Sequence, residues 1–139
     1  MAFKLRAGGR AKTMWLPIAG SVAIPRGSIV EFTSGTIVAG DSGTLPGEAV
    51  GVLDRTIAAT DSDYAVARLV PVLVPTEKGV VWECNDVDGT FTAADVGVEV
   101  DLTDAVAVNV DASSIKIAKC VGFGSATSSL FQLKIGGSY

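Results

Sequence analysis

Ile24-Pro25-Arg26-Gly27-Ser28-Ile29-Val30-Glu31-Phe32-Thr33-Ser34-Gly35-Thr36-Ile37-Val38 is the stretch whose reading decides the fold. Ser28–Phe32 and Thr36–Val38 are rich in β-branched and aromatic side chains, which suit a pleated surface. Pro25 and Gly27 lead into the first run, and Ser34-Gly35 separates it from the second, so a turn is expected at both places. The stretch reads as a β-hairpin.

The same grammar continues toward the C-terminus. Gly40–Gly47 is a loop by composition, and Glu48–Asp54 is the next strand, with Gly51 allowing close backbone approach. Ala65–Val74 is the longest strand candidate, with Val66, Arg68, Val70 and Val72 on one face and Ala67, Leu69, Pro71 and Leu73 on the other. Because proline cannot donate to a ladder, Pro71 is expected at a sheet edge or a bulge. Further strands are expected at Val80–Cys84, Val98–Leu102, Ala105–Val110, Ile115–Val121 and Leu130–Ile135, followed by a mobile Gly-Gly-Ser-Tyr tail. One short helical turn is expected at Phe91–Gly97, with Thr92 as N-cap, Asp95 three residues on, Phe91 and Val96 as a staple and Gly97 as the stop. With about ten short strands and no internal repeat, the expected class is all-β, a small barrel or sandwich.

Toward the N-terminus the character changes. Residues 1–12 contain Gly8-Gly9, alternating basic residues and no sustained apolar face, so a flexible basic arm is expected there, ahead of one β-rich domain over residues 13–139. Charge divides similarly. Lys4, Arg6, Arg10, Lys12 and Arg26 precede the first acid, Glu31, and all 15 acidic residues lie between Glu31 and Asp111. The formal net charge of −4 thus joins a basic leader to an acidic body.

A chain of 139 residues is the usual size for one hydrophobic core. Its hydrophobic share is 48%, yet no run approaches the roughly 18 apolar residues of a membrane span. Met14–Ile24 is interrupted by Pro17, is followed by Pro25 and lacks a leucine-rich core, so a secretory signal is not expected, and a soluble, non-exported chain is. Cys84 and Cys120 lack Cys-x-x-Cys spacing and there is no histidine, so zinc is not expected. Two buried thiols are the simpler reading of the cysteines, with a disulfide left open.

The candidate catalytic constellations have simpler structural readings. Gly40-Asp41-Ser42-Gly43 resembles a protease nucleophile loop, but a serine needs a base and the chain has no histidine. Asp86-x-Asp88-Gly89 resembles half of a calcium loop. Aligned on Gly89, its first position is Cys84 and its twelfth is Asp95, too short for the bidentate glutamate, so a hairpin turn over Asn85–Gly89 is preferred. Gly122-Phe123-Gly124 lacks the third glycine of a dinucleotide fingerprint. Asp61 with Asp63, and Asp101 with Asp104, read as solvated surface carboxylates. The acidic body would repel phosphate, so the folded domain is not expected to bind nucleic acid. No enzyme activity, cofactor or metal is expected.

Three segments carry a family likeness: Val22–Val30, Gly35–Val38 and Glu48–Leu53 with its Ala49-Val50-Gly51-Val52 core. They resemble the opening hairpin of capsid decoration, or cement, proteins of tailed bacteriophages. Phe91–Gly97 and Lys119-Cys120-Val121-Gly122-Phe123 look like the second half of the same family. The resemblance implies a small β-barrel or β-sandwich protomer, usually trimeric, on the outer surface of the virion head, assembled in the host cytoplasm. There it would brace neighbouring major capsid subunits. Such proteins have no catalytic residues to carry over. The segment that extends onto the shell in several of them corresponds to Ala2–Lys12, which makes Phe3, Lys4, Leu5, Arg6, Arg10 and Lys12 the expected capsid-binding residues. A tail or head-completion protein is the alternative within virions, and a small ligand- or metal-binding β-barrel the alternative outside them.

Overall fold

The computed structural model describes residues 3–7, 10–85, 87–137 and 139. Among them the strands in chain order are β1 (Phe3–Ala7), β2 (Ala11–Ile18), β3 (Ile29–Thr33), β4 (Thr36–Ala39), β5 (Ala49–Leu53), β6 (Arg68–Pro75), β7 (Val81–Cys84), β8 (Val87–Asp88), β9 (Glu99–Asp104), β10 (Ala107–Asn109), β11 (Ala118–Ser125) and β12 (Ser128–Leu133). They form a five-stranded sheet, ordered β2-β6-β5-β3-β4, and a seven-stranded sheet, ordered β1-β7-β12-β11-β9-β10-β8. The pairs are antiparallel except β8 with β10. The fold is an all-β sandwich.

The decisive hairpin forms as its sequence requires. Thr33 faces Thr36 across a two-residue loop in which Ser34 and Gly35 both have positive φ, at 51° and 84°. Two left-handed residues make the tight turn whose twist matches the flanking strands. Gly51 also behaves as read: a Cβ there would lie 2.4 Å from the Leu73 carbonyl oxygen.

The middle of the five-stranded sheet is buried on both faces, and this is why β5 reads as a continuous apolar run rather than an alternating one. Ile29, Ala49 and Val52 face the seven-stranded sheet and pack with Trp82, Phe91 and Phe131. Val30, Leu53, Val70 and Val72 point the opposite way, into a second core with Ile18, Ile24, Ile37 and Ile57. The sheet curls around this second core until its edge strands β2 and β4 touch without pairing.

Proline placement follows the ladder. The Thr76 N–H donates to the Arg10 carbonyl at 2.9 Å, which makes that rung hydrogen-bonded and assigns the rest of the β2–β6 ladder by alternation. Pro17, Pro71 and Pro75 all fall on rungs where β2 and β6 exchange no hydrogen bonds. Pro71 does not lie on an edge strand, as its sequence suggested, because β6 sits between β2 and β5. It occupies the place where β5 ends, and its carbonyl still accepts from the Asp54 N–H at 3.0 Å.

The N-terminal segment departs most from expectation. The described residues of the expected arm are not free: Phe3–Ala7 pairs with β7, matching Phe3 with Cys84, Lys4 with Glu83 and Leu5 with Trp82, and β2 begins at Ala11. Phe3 is only 1% exposed. The physical reason lies in Phe3-Lys4-Leu5-Arg6, whose strict alternation puts apolar side chains inward and basic ones outward. Met1, Ala2, Gly8 and Gly9 lie outside the described residues.

Smaller differences have local causes. Among the described residues there are two 3-10 turns, Ala93–Asp95 and Ile135–Gly137, rather than one. At the first, the Thr92 N–H and hydroxyl donate to the Asp95 carboxylate at 2.8 and 3.2 Å, and Gly97 follows at φ 90°. Its staple is absent, because Phe91 is buried against Phe131 while Val96 is exposed. The expected Asn85–Gly89 hairpin turn is replaced by β8, which runs beside β10, and Gly89 follows at φ 95°. Of the expected mobile tail, Tyr139 is held, its ring 5.0 Å from Lys134 Nζ, and Ser138 lies outside the described residues.

Candidate assembly surface

The residues expected to bind a capsid are not gathered in one place. In β1, Phe3 belongs to the inter-sheet core and Leu5 packs against it, which removes both from any contact surface. Lys4 and Arg6 are exposed on the outer face of β1, and the Arg6 guanidinium is paired with the Glu83 carboxylate on β7. Arg10 and Lys12 are exposed on the other sheet; Arg10, with its side chain 85% exposed, stands 4.0 Å from Glu77. Lys4, Arg6 and Lys12 are therefore solvent-exposed on two strands, with Arg10 just ahead of the second.

A surface absent from the sequence reading lies on β2 and β6. Trp15 faces Pro71 and Pro17 faces Leu69 in the β2–β6 register, so these four share one face of the sheet. Trp15 is 59% exposed and Leu69 56%, with Pro17 and Pro71 half-buried between them. Leu73, farther along the same face of β6, packs into the inter-sheet core. The seven-stranded sheet thus covers one end of this face and leaves the other open. The alternation of Ala67, Leu69, Pro71 and Leu73 was visible in sequence, but which of them stay uncovered depends on how one sheet is offset over the other.

The rim beside this band is firmly built. Arg68, whose side chain is 11% exposed, donates from Nη1 to the carbonyls of Asp63 and Val66 at 3.0 and 3.1 Å. Its Nε lies 3.1 Å from the Asp63 carboxylate, while Arg55 and Asp61 complete the cluster at 3.9 Å separations. Asp61 and Asp63 therefore anchor a loop rather than standing free in solvent.

Asp101 overturns the other carboxylate reading. It is 6% exposed, and its oxygens accept from the N–H groups of Ser114, Ile115 and Lys116 at 2.9, 2.8 and 2.7 Å. Three backbone donors around one carboxylate stabilise a turn in which Lys116 has φ 59°. Asp104, by contrast, is exposed and accepts from the Val106 N–H.

The remaining motifs are also structural. In Gly40-Asp41-Ser42-Gly43, the Asp41 carboxylate accepts from the Gly43 N–H at 2.7 Å and the Thr44 hydroxyl from the Asp41 N–H at 2.8 Å, leaving Ser42 on an exposed turn. Gly124 permits the approach of β12, since a Cβ would come within 2.5 Å of the Ser128 carbonyl oxygen. The Asp86 half of the calcium motif lies outside the described residues; among those described, no three His, Cys, Asp or Glu side chains cluster as metal ligands. Cys84 and Cys120 are both buried thiols, their Sγ atoms 3.7 and 3.8 Å from the carbonyls of Val106 and Gly122. Burial pushes the Cys120 thiol up, away from the reactive thiolate.

At the far end, Lys134 Nζ donates to the Glu99 carboxylate at 3.0 Å, and Lys134 and Lys119 stand 5.0 and 5.9 Å from the Tyr139 ring centre. The Lys134 hydrogen bond lowers the Glu99 carboxyl, against a partial desolvation that raises it. Burial, and then the Glu99 charge, push the Tyr139 hydroxyl up. The group is a charged clasp on the sheet end.

No family model matches the chain, and no curated protein is significantly similar to it in sequence.

Proposed function

We propose that this chain is a structural protein of a tailed-phage virion that binds the outside of the head as a homo-oligomer, a trimer, and stabilises contacts between major capsid subunits. The observation that carries the reading is the exposed Trp15–Pro17–Leu69–Pro71 band on the face shared by β2 and β6. Contiguous apolar surface around a tryptophan is the usual anchor of a protein interface. The sequence resemblance supplies the class of partner. A decorating protein works through many repeated copies, so modest contacts at each site add to firm attachment. In this reading the chain carries no catalytic role and needs no cofactor.

The band replaces the N-terminal arm as the principal contact, because Phe3 and Leu5 are committed to the core. Lys4, Arg6, Arg10 and Lys12 remain available to steer the protein toward an acidic shell. Trp15→Ser should leave the melting temperature within about 2 °C of the parent, since the ring is mostly in solvent, yet weaken binding to expanded, undecorated heads at least about tenfold. Co-sedimentation with heads measures this; unchanged binding would remove the band from the interface.

A further inference from the structure

We infer that β2 is a docking edge for an added strand, and that its occupant is an extended, acidic polypeptide segment of the partner. The inference rests on the proposed capsid role for the partner's identity, but its geometry stands on β2 alone.

β2 is the outermost strand of its sheet, and among the described residues it pairs only with β6. The Arg10–Thr76 hydrogen bond assigns the alternation: even-numbered residues of β2 turn their backbone groups toward β6, and odd-numbered residues turn them away. Ala11, Thr13 and Trp15 therefore present N–H and C=O groups on the open side. Pro17, which has no N–H, ends the row, and β4 approaches β2 near that same end, where Thr36 lines a groove with Pro17 and Ile18. What stays open is the stretch from Ala11 to Trp15.

Side-chain exposure points to a missing neighbour strand, not merely to a partner over one face. Met14 and Trp15 are consecutive and so lie on opposite faces of the sheet, yet they are 42% and 59% exposed. A protein lying over one face would cover only one of them. A strand added alongside would flank both.

Charge selects the kind of strand. Arg10 and Lys12 are exposed at this edge, and no acidic residue precedes Glu31. A second copy of β2 would bring the same positive charges to its own edge, whereas an acidic strand would set carboxylates beside Lys12, where cross-strand neighbours lie about 5 Å apart. Strand addition of this kind draws affinity from main-chain hydrogen bonds and specificity from alternate side chains.

The test uses the full chain and three synthetic heptapeptides: one alternating Asp or Glu with Val, one with Lys in place of the acids, and the acidic one N-methylated on the residues that would face β2. Binding is followed by Trp15 fluorescence and by hydrogen exchange of single amides. The expected result is that the acidic peptide binds and slows exchange at the Thr13 and Trp15 amides by about tenfold or more. The lysine and N-methylated peptides should bind at least about tenfold more weakly. Thr13→Pro removes an outward N–H without touching the β6 ladder, so it should lose the peptide while keeping the parent's melting curve. Equal binding of the three peptides, or exchange at these amides unchanged by the acidic one, would overturn the inference. So would protection of the same amides by self-association without peptide. Expanded heads separate the two proposals. If the parent fails to bind them, the capsid role falls while the peptide result decides the edge; if Thr13→Pro binds them as well as the parent does, the edge falls and the capsid role stands.

Discussion

At the scale of single residues, several buried polar and small groups are fixed by geometry that substitution cannot reproduce. Asp101→Ala would strand three backbone N–H groups in a site where the carboxylate is 6% exposed, and leaving buried donors unmatched costs about 3 kcal/mol in total. Urea unfolding should show a loss of that order, and a loss below about 1 kcal/mol would mean that water replaces the carboxylate. Gly51→Ala places a Cβ 2.4 Å from the Leu73 carbonyl oxygen and 2.8 Å from Val72 Cγ1, so the β5–β6 pairing must shift; a destabilisation of about 1–3 kcal/mol is expected in the same assay. Glu99 supplies a pH dependence with a definite sign. Its folded-state pKa is lowered, chiefly by the Lys134 hydrogen bond, so it contributes stability above the ordinary carboxylate value of 4.5 and loses it as pH falls through the lower folded value. Lys134→Gln should bring the Glu99 titration, followed by NMR, back up toward the ordinary value and flatten the acid limb of the stability curve. A Glu99 titration unmoved by the substitution would contradict the assignment.

At the scale of elements, strands were legible wherever a run of β-branched residues met a turn with a physical cause. Ser34-Gly35 announced the β3–β4 hairpin, and Gly51 announced the close β5–β6 approach. β1 and β2 were harder to see because Gly8-Gly9 and the basic residues suggested a solvated arm. The signal was nevertheless present: the alternation of Phe3, Lys4, Leu5 and Arg6 is the period-two pattern of a strand with one buried face. Residues 3–7 are consequently part of the fold, and deleting them should lower the melting temperature by about 10 °C or more, since Phe3 alone fills a core site whose truncation costs about 3–5 kcal/mol. A melting curve unchanged by the deletion would show that β1 is dispensable to the core. Asp101 and the Trp15 band were not legible for a different reason. Their surroundings are made by segments distant in sequence, the 114–116 turn for one and the limit of sheet overlap for the other.

At the scale of the whole molecule, the sandwich holds its charge clusters and carboxylates in structural duties, with Arg68 clamping a loop, Asp101 a turn and Lys134 the sheet end. Among the described residues, one group of exposed apolar side chains lies on the β2 side, where Trp15 and Leu69 share a face and Met14 lies on the opposite one. A β-sandwich with an exposed apolar band, and with Arg10 and Lys12 exposed at the start of β2, is suited to sit on another protein and to be steered there by charge. Under the proposed function, attachment should weaken as ionic strength rises, because the basic residues at the surface act over about one Debye length, some 8 Å in physiological salt. The most direct measurement is a cryo-electron microscopy reconstruction of expanded, undecorated phage heads mixed with the purified chain. The expected result is stoichiometric density on the outer surface, as a trimer, with the Trp15 side of β2 against the capsid subunits. Heads that remain bare at micromolar protein would contradict the proposed function.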